Sequence, residues 1–239
     1  MDKRSIIVVE VRKPLLSNNM IQSLFNVCGI LAPYCGVLCF LAPFPTIRQC
    51  IRDKSTGALP LLPYSSMVSN SFVWVMYGLL KNLPSVYMSN AVGVVLGTYY
   101  FRTYMRYCTI LGAAKQIRMH LRGAALIIVL NICLAQVLQT DIAADIIGKE
   151  GVFYCIVLFA SPLVALKHVL ETKSAASIPL PFTIACFINC LCWSVTGWFT
   201  MKDFNIYFPN LLGLSCACAQ LLLKGIYGDK RGKGSGLPK

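Results

Sequence analysis

A repeated block limits what this 239-residue chain can fold into. Residues 43–78 align without a gap on residues 162–197, at an offset of 119 positions. The matched positions include Pro43 with Pro162, Lys54-Ser55 with Lys173-Ser174, Asn70 with Asn189, Trp74 with Trp193, and Gly78 with Gly197. Chance similarity between apolar helices would share scattered Leu and Val, whereas ordered Pro, Asn and Trp positions indicate a duplication. We therefore expect two structural repeats.

The composition is that of a membrane protein. Hydrophobic residues make up 56% of the chain and charged residues 13%, and the mean hydropathy is +0.65. Soluble domains carry about a quarter charged residues. The net charge of +13 is distributed between apolar spans and forms no single basic face, which argues against nucleic acid and for orientation in a lipid bilayer.

Seven apolar spans of about 20 residues recur, the length that a helix needs to cross the hydrocarbon layer. They are 21–43, 62–80, 85–105, 122–140, 149–167, 179–200 and 205–226. Alternate gaps on one side carry 15 Lys and Arg residues, against 7 on the other. Because positive residues stay cytoplasmic, the N-terminus is predicted outside and the C-terminus inside.

The repeat and the odd number of spans together predict the topology. Three crossings leave the chain on the opposite face, so a second copy joined directly would be inverted; the unpaired fourth span restores its direction. The predicted fold is an all-α membrane protein of two parallel three-helix bundles joined by an inversion-linker helix. The expected segments are an extracytosolic tail (1–20), the first bundle (21–108), the linker loop and fourth helix (109–145), the second bundle (146–227) and a cytoplasmic tail (228–239).

Four asparagines inside these spans are candidates for contact with a ligand made of hydroxyls, because an amide offers two donors and an acceptor. They form two repeat pairs, Asn70 with Asn189 and Asn90 with Asn210. Hydrogen bonding between helices is the alternative, and it applies most to Asn70 and Asn189.

Trp74 and Trp193 each follow an asparagine by four residues and therefore share its helix face. Stacking on the apolar face of a pyranose ring and packing in the core are both compatible with this position. Two indoles would also narrow a cavity, which favours a single sugar ring over a disaccharide.

Four prolines fall near the cytoplasmic ends of the first, second, fifth and sixth predicted helices, namely Pro43, Pro63, Pro162 and Pro179. They either end these helices or act as hinges for their movement. Pro60, and not Pro63, is the gapless equivalent of Pro179, so both remain candidates for the second-helix hinge.

Some absences are also informative. No acidic or basic residue lies near the centre of a predicted span, and a proton-coupled carrier needs such a group, so we expect passive, bidirectional transport. Nearly all of the 12 cysteines lie in apolar spans, where they behave as small hydrophobes. We find no spacing for a metal site, no catalytic group and no phosphate loop, which predicts a protein without cofactor or enzymatic activity.

With these residues in place, the chain resembles the SWEET (MtN3/saliva) sugar transporters over about residues 21–227. The motifs are Ala42-Pro43-Phe-Pro-Thr, Lys54-Ser55-Thr56, Pro63-Tyr64, Tyr77-Gly78 and Asn90-x-x-Gly93, then Ser161-Pro162-Leu, Lys173-Ser174, Pro179, Trp193 and Pro209-Asn210-x-x-Gly213. The resemblance implies sugar uniport by alternating access, with Asn90 and Asn210 on the sugar hydroxyls and Trp74 and Trp193 on the cavity walls. It also implies a cytoplasmic gate lined by the four prolines, an outer gate of Tyr77 with Asp203, and homo-oligomers.

The predicted function is a facilitative, bidirectional uniporter for glucose or a similar hexose, in the plasma membrane or an endomembrane. A PQ-loop-like carrier of another small solute is one alternative, but the repeated proline is followed by leucine in Pro60-Leu61 and Pro179-Leu180, where that class has glutamine. A seven-helix receptor or scaffold is another, and it predicts no repeat.

Overall fold

The computed structural model describes residues 18–229, which are helical apart from short connections. The helices are α1 (Asn18–Leu41), α2 (Phe44–Asp53), α3 (Leu62–Leu80), α4 (Pro84–Tyr107), α5 (Ala113–Val137), α6 (Thr140–Leu158), α7 (Ala160–Thr172), α8 (Leu180–Val195) and α9 (Phe204–Tyr227). A π-helical segment, Thr196–Met201, continues α8. Nearly all of the two expected tails, 1–20 and 228–239, lies outside the described residues.

The helices form seven long rods, which confirms the predicted fold class. Helices α1 and α2 follow each other with only a short break at Ala42-Pro43, and α6 and α7 meet at Phe159. The fourth and fifth rods begin earlier than predicted, at Ala113 and Thr140 instead of 122 and 149. Basic residues at the start of α5 and acidic residues at the start of α6 lower the hydropathy there, but neither stretch contains a proline, so the helices continue through both.

Five helical stretches of the described chain are long and apolar enough to cross a membrane by composition alone: 19–53, 113–137, 140–172, 180–201 and 204–227. Helices α3 and α4 have 19 and 24 residues. At about 1.5 Å per residue, both approach or exceed a hydrocarbon layer about 30 Å thick. They are more polar because much of their surface faces protein, and nine residues of α3 are buried.

The packing of the rods follows the repeat. Within the repeats, α3 packs on α4 and α8 packs on α9; between them, α1 packs on α8 and α3 packs on α6. The α3–α4 contact is equivalent to the α8–α9 contact, and the α1–α8 contact is equivalent to the α3–α6 contact with the two repeats exchanged. Helix α5 breaks the symmetry, because it packs against α3 and α6 only on one side of the bundle. The short helices α2 and α7 mark one end of the molecule, which we call the α2–α7 end, and Asp203 marks the opposite Asp203 end.

Paired glycines hold each repeat together at the same place. A Cβ atom on Gly78 would lie 2.8 Å from the backbone nitrogen of Tyr87, and one on Gly197 would lie 2.8 Å from that of Tyr207. A backbone atom cannot yield as a flexible side chain can, so only glycine lets the two helices of each pair approach this closely. The duplication is thus visible in the packing as well as in the sequence.

Candidate functional site

A cavity of about 190 Å³ lies on the seam between the two repeats. All three long helices of each bundle contribute to its wall, and the linker helix α5 contributes none. The six residues predicted to contact substrate, namely Asn70, Trp74, Asn90, Asn189, Trp193 and Asn210, all line this one cavity. Residues separated by up to 140 positions are therefore brought together by the pairing of the repeats.

Asn90 and Asn210 are held in the same way in the two repeats. The Nδ2 atom of Asn90 donates to the carbonyl oxygen of Val86 at 2.9 Å, and that of Asn210 donates to the carbonyl oxygen of Ile206 at 2.7 Å. Each bond runs back one turn along the helix and uses one of the two amide hydrogens. The second hydrogen and the amide oxygen remain available to a molecule in the cavity.

Asn70 and Asn189 have incomplete hydrogen bonding. The Oδ1 atom of each is buried and has no partner among the described residues. Buried polar atoms in native proteins are nearly always paired, so an orphan acceptor at the same place in both repeats requires an explanation. A hydroxyl of a bound molecule, or water when the cavity holds no such molecule, would supply the missing donor.

Trp74 and Trp193 pack against small residues of the opposite repeat. A Cβ atom on Gly151 of α6 would lie 3.0 Å from two ring carbons of Trp74, and one on Gly36 of α1 would lie 3.7 Å from the ring nitrogen of Trp193. Both indoles are only 8% exposed, yet both line the cavity. Core packing and a place on the cavity wall are therefore combined here, and stacking on a ligand stays a prediction.

Tyr77 and Asp203 join the two repeats at the Asp203 end. The hydroxyl of Tyr77 donates to the carboxylate of Asp203, with oxygen–oxygen distances of 2.8 and 2.6 Å. Asp203 is also the N-cap of α9 and accepts from the backbone nitrogen of Asn205 at 3.0 Å. The Nδ2 atom of Asn205 in turn donates to the Tyr77 hydroxyl at 3.3 Å. The chain thus closes this end with a three-residue network, whose role as a gate stays a prediction.

Sequence reasoning missed two members of this closure. Asn205 aligns with Ser85 and not with a second asparagine, so the repeat did not point it out, and its contact with Tyr77 spans 128 positions. Gly148 of α6 lies directly against the network, since a Cβ atom there would be 2.6 Å from Cε2 of Tyr77 and would overlap Asn205. Because α6 was expected to begin nine residues later, Gly148 fell outside the predicted span.

The four predicted hinge prolines lie at the opposite, α2–α7 end. Pro43 is the N-cap of α2, Pro63 is the second residue of α3, and Pro179 is the N-cap of α8. Pro162 is in the first turn of α7, and Pro60 precedes α3. All of them start helices, and none lines the central cavity. Their action as hinges stays a prediction.

The expectation that no acidic or basic residue lies near the centre of a span is wrong for α6. Glu150 lies inside α6, immediately before the Gly151 that contacts Trp74. The error follows from the boundary, because a span that begins at 149 puts Glu150 at its end, whereas a helix that begins at Thr140 puts it well inside.

Two helical repeats around one cavity, whose mainly apolar wall carries four asparagines, define a membrane carrier of small solutes; hydrogen bonds between the repeats close one end. In the part of the chain that the structure describes, no three His, Cys, Asp or Glu side chains cluster to hold a metal ion. The chain is an integral, multi-pass membrane protein.

Comparison with known families identifies the carrier. A family profile described as "Sugar efflux transporter for intercellular exchange" (MtN3/saliva) matches residues 26–110 and again 145–232. The two matches start 119 positions apart, which is the offset of the repeat. The chain belongs to this family, the MtN3/SWEET sugar transporters, and is therefore a transporter and not an enzyme.

Named relatives agree with this assignment. The chain is 26% identical over 210 residues to the bidirectional sugar transporter SWEET12 of Oryza sativa subsp. japonica, covering 87% of this chain and 70% of that protein. It is 25% identical over 212 residues to the sugar transporter SWEET1 of Dictyostelium discoideum, covering 86% and 94%. A solved structure of a eukaryotic SWEET transporter superposes with a TM-score of 0.77 at 24% identity, covering 85% of this chain and 98% of that one, and so shares its fold.

Proposed function

We propose that this carrier is a facilitative, bidirectional uniporter that moves glucose or a similar hexose by alternating access. The observation that carries the proposal is the paired set of four amides and two indoles around one cavity. Bidirectional sugar transport is also named for several of the relatives.

Substrate binding follows from the chemistry of the wall. The amide groups of Asn90 and Asn210 offer donors and acceptors that match sugar hydroxyls, and the orphan oxygens of Asn70 and Asn189 would each accept one hydroxyl hydrogen. An indole ring complements the apolar face of a pyranose. Because an indole from each repeat occupies part of the wall, we propose that a monosaccharide is preferred over a disaccharide.

Alternating access would use the two ends of the seam in turn. In the state described, the Tyr77–Asp203–Asn205 network holds α3 against α9 at the Asp203 end. Release of this network while the helices close at the α2–α7 end would present the cavity to the other side. The rods would bend at the prolines that start their helices, Pro43, Pro63, Pro162 and Pro179, since a helix cannot continue unbroken back through a proline.

The orientation and setting are part of the proposal. The asymmetry of Lys and Arg places the α2–α7 end in the cytoplasm, with the tail 1–20 outside and the tail 228–239 inside. The bundles of the transporter then correspond to residues 21–108 and 146–227, with 109–145 as the linker. The plasma membrane is the proposed location, and homo-oligomers are the proposed assembly.

Exchange of labelled glucose into vesicles containing the purified protein tests the proposal. Asn90→Ala and Asn210→Ala should each abolish exchange, because both remove donors and acceptors from the cavity. Asn26→Ala is the matched control: Asn26 lies on α1, outside the cavity wall, and pairs with Gln22. Wild-type exchange by either cavity variant would contradict the site, a faster exchange of sucrose would contradict the preference for a single ring, and a requirement for a proton gradient would contradict uniport.

A further inference from the structure

A second cavity, of about 210 Å³, lies between α3, α5 and α6 and shares no lining residue with the central one. Its wall is polar on the α3 side, where Ser65, Ser66 and Ser69 line it, and it includes His120 of α5 and Tyr154 of α6. The Oγ atom of Ser65 and the Nδ1 atom of His120 are 2.8 Å apart. This pair lies near the start of both helices, so the cavity begins toward the α2–α7 end.

Glu150 does not line this cavity but lies one helical turn from a residue of its wall. Ile127 of α5 and Tyr154 of α6 line the cavity, and one helical turn beyond them lie Asn131 and Glu150. Asn131 is completely buried, and its Nδ2 atom donates both to the carbonyl oxygen of Ile127 and to Oε2 of Glu150, each at 3.0 Å. The hydrogen-bonded pair of Asn131 and the half-buried Glu150 therefore lies one helical turn from the wall of this cavity.

Glu150 has no ion-pair partner among residues 18–229. Lys149, its neighbour, pairs with Asp145 at 2.6 Å on an exposed face. Among the described residues, the titratable group that interacts with Glu150 is Tyr154, one turn further along the same helix. From α5 it meets only the neutral amide of Asn131.

An unpaired carboxylate inside a membrane protein is unfavourable, and such groups mark proton or ion pathways. Glu150 is also absent from the first repeat, where the aligned residue is Leu31, on a lipid-facing part of α1. The acid therefore belongs to the linker contact and not to the duplicated sugar site.

We propose that Glu150 is a proton-binding site, reached through the Ser65–His120 cavity, whose protonation state sets the rate of sugar exchange. A charged carboxylate accepts a stronger hydrogen bond from Asn131 than a neutral one, so ionisation tightens the contact between α5 and α6. Glu150 precedes Gly151, against which the Trp74 ring packs, and a tighter contact there restrains the wall of the sugar cavity. The proton comes from cavity water and returns to it, and none is transferred along with the sugar.

Glucose exchange in oriented vesicles tests the proposal, with the pH set separately on each side from about pH 4 to pH 9. The wild-type rate should change with pH on the α2–α7 side, and Glu150→Gln should remove the response, with a rate close to the wild-type acid limit. Glu171→Gln is the matched control, since Glu171 is an exposed acid paired with Lys167 on α7. Its response should equal that of the wild type.

Two glycines at which an added Cβ atom would meet no other atom nearby test whether protons reach Glu150 through this cavity. A Cβ atom on Gly123, which lines the cavity, or on Gly225 of α9, which does not, would meet nothing within 4 Å. Gly123→Leu should fill the cavity and slow the response to a pH jump on the α2–α7 side, whereas Gly225→Leu should not. If both variants responded to the pH jump at the same rate, or if the wild type responded to pH only on the Asp203 side, the proposed route through this cavity would be wrong.

The exchange assays of this inference rest on the proposed function, since they require sugar transport. Chemical labelling of Glu150 does not depend on transport and therefore tests the proton site by itself. Dicyclohexylcarbodiimide adds to protonated carboxyls in apolar surroundings, and mass spectrometry would locate the adduct. Glu150 should be labelled, less so as the pH rises, and Glu171 should not. An unlabelled Glu150 at every pH, or an unchanged pH response in Glu150→Gln, would refute the proton site even if sugar exchange is normal.

Discussion

The closure at the Asp203 end requires a glycine at position 148, because a Cβ atom there would push against the Tyr77 ring, so Gly148→Ala should open this end. The new Cβ atom would lie 2.6 Å from Cε2 of Tyr77. Carbon atoms pack at about 3.5–4.0 Å, so the ring has to retreat by about 1 Å. The Tyr77 hydroxyl is 2.6 and 2.8 Å from the Asp203 oxygens, and a retreat of about 1 Å takes both bonds beyond hydrogen-bonding distance.

The lost interaction sets the size of the effect. A hydrogen bond to a charged group contributes about 1.5–3 kcal/mol, and the lower value applies because Asp203 is only half-buried. At about 1.4 kcal/mol per factor of ten, the closed state should become about tenfold less populated relative to the open one. Because exchange requires this end to close once per cycle, we expect glucose exchange to slow by a similar factor.

Sugar exchange and hydrogen–deuterium exchange of the first turn of α9 together measure this effect. Tyr77→Phe removes the same hydroxyl without adding bulk, so Gly148→Ala in that background should add little further. Gly225→Ala is the control, because its Cβ atom would meet nothing within 4 Å and it lines neither cavity. The reasoning would be refuted if Gly148→Ala showed the wild-type rate of sugar exchange and the wild-type hydrogen–deuterium protection of α9. It would also be refuted if the effects of Gly148→Ala and Tyr77→Phe on sugar exchange were fully additive.

Three further substitutions test the packing and the site. Gly151→Ala brings a Cβ atom to 3.0 Å from the Trp74 ring, which must shift by a few tenths of an ångström, and should raise the half-saturating glucose concentration while leaving the maximal rate nearly unchanged. Trp74→Leu should raise that concentration by up to about tenfold if stacking contributes about 0.5–1.5 kcal/mol, and unchanged glucose kinetics would count against stacking. Gly78→Ala, with a Cβ atom 2.8 Å from the backbone of Tyr87, should destabilise the fold by about 1–3 kcal/mol. Thermal unfolding in detergent measures this loss, with Gly225→Ala as the unhindered control, and equal midpoints for the two would contradict the packing.

The sequence predicted the features that depend on local chemistry or on the repeat. Hydropathy identified the seven rods, and the 119-residue offset implied two equivalent bundles with a linker between them. The same offset singled out the paired asparagines and tryptophans, since equivalent residues of two facing repeats meet at their shared seam. These six side chains line one cavity in the structure.

Helix boundaries were the weakest part of the prediction, and one boundary had consequences. A hydropathy window ends where charged residues begin, but a helix continues until its backbone hydrogen bonds can no longer form. Helix α6 therefore extends through Asp145 and Lys149, which pair with each other on an exposed face. The shift of this boundary brought Gly148 to the Tyr77 closure and Glu150 to its contact with Asn131 of α5.

The sequence by itself determined the membrane setting, the duplicated three-helix unit and the residue types available to a sugar, because these follow from composition and from an internal alignment. Only the tertiary structure decided which uncharged atoms lack partners, that Asn205 completes the Tyr77–Asp203 network, and that Asn131 holds Glu150 beside a second cavity. The physical reason is that each of these features depends on how helices distant in sequence pack against one another, and neither periodicity nor the internal alignment contains that packing.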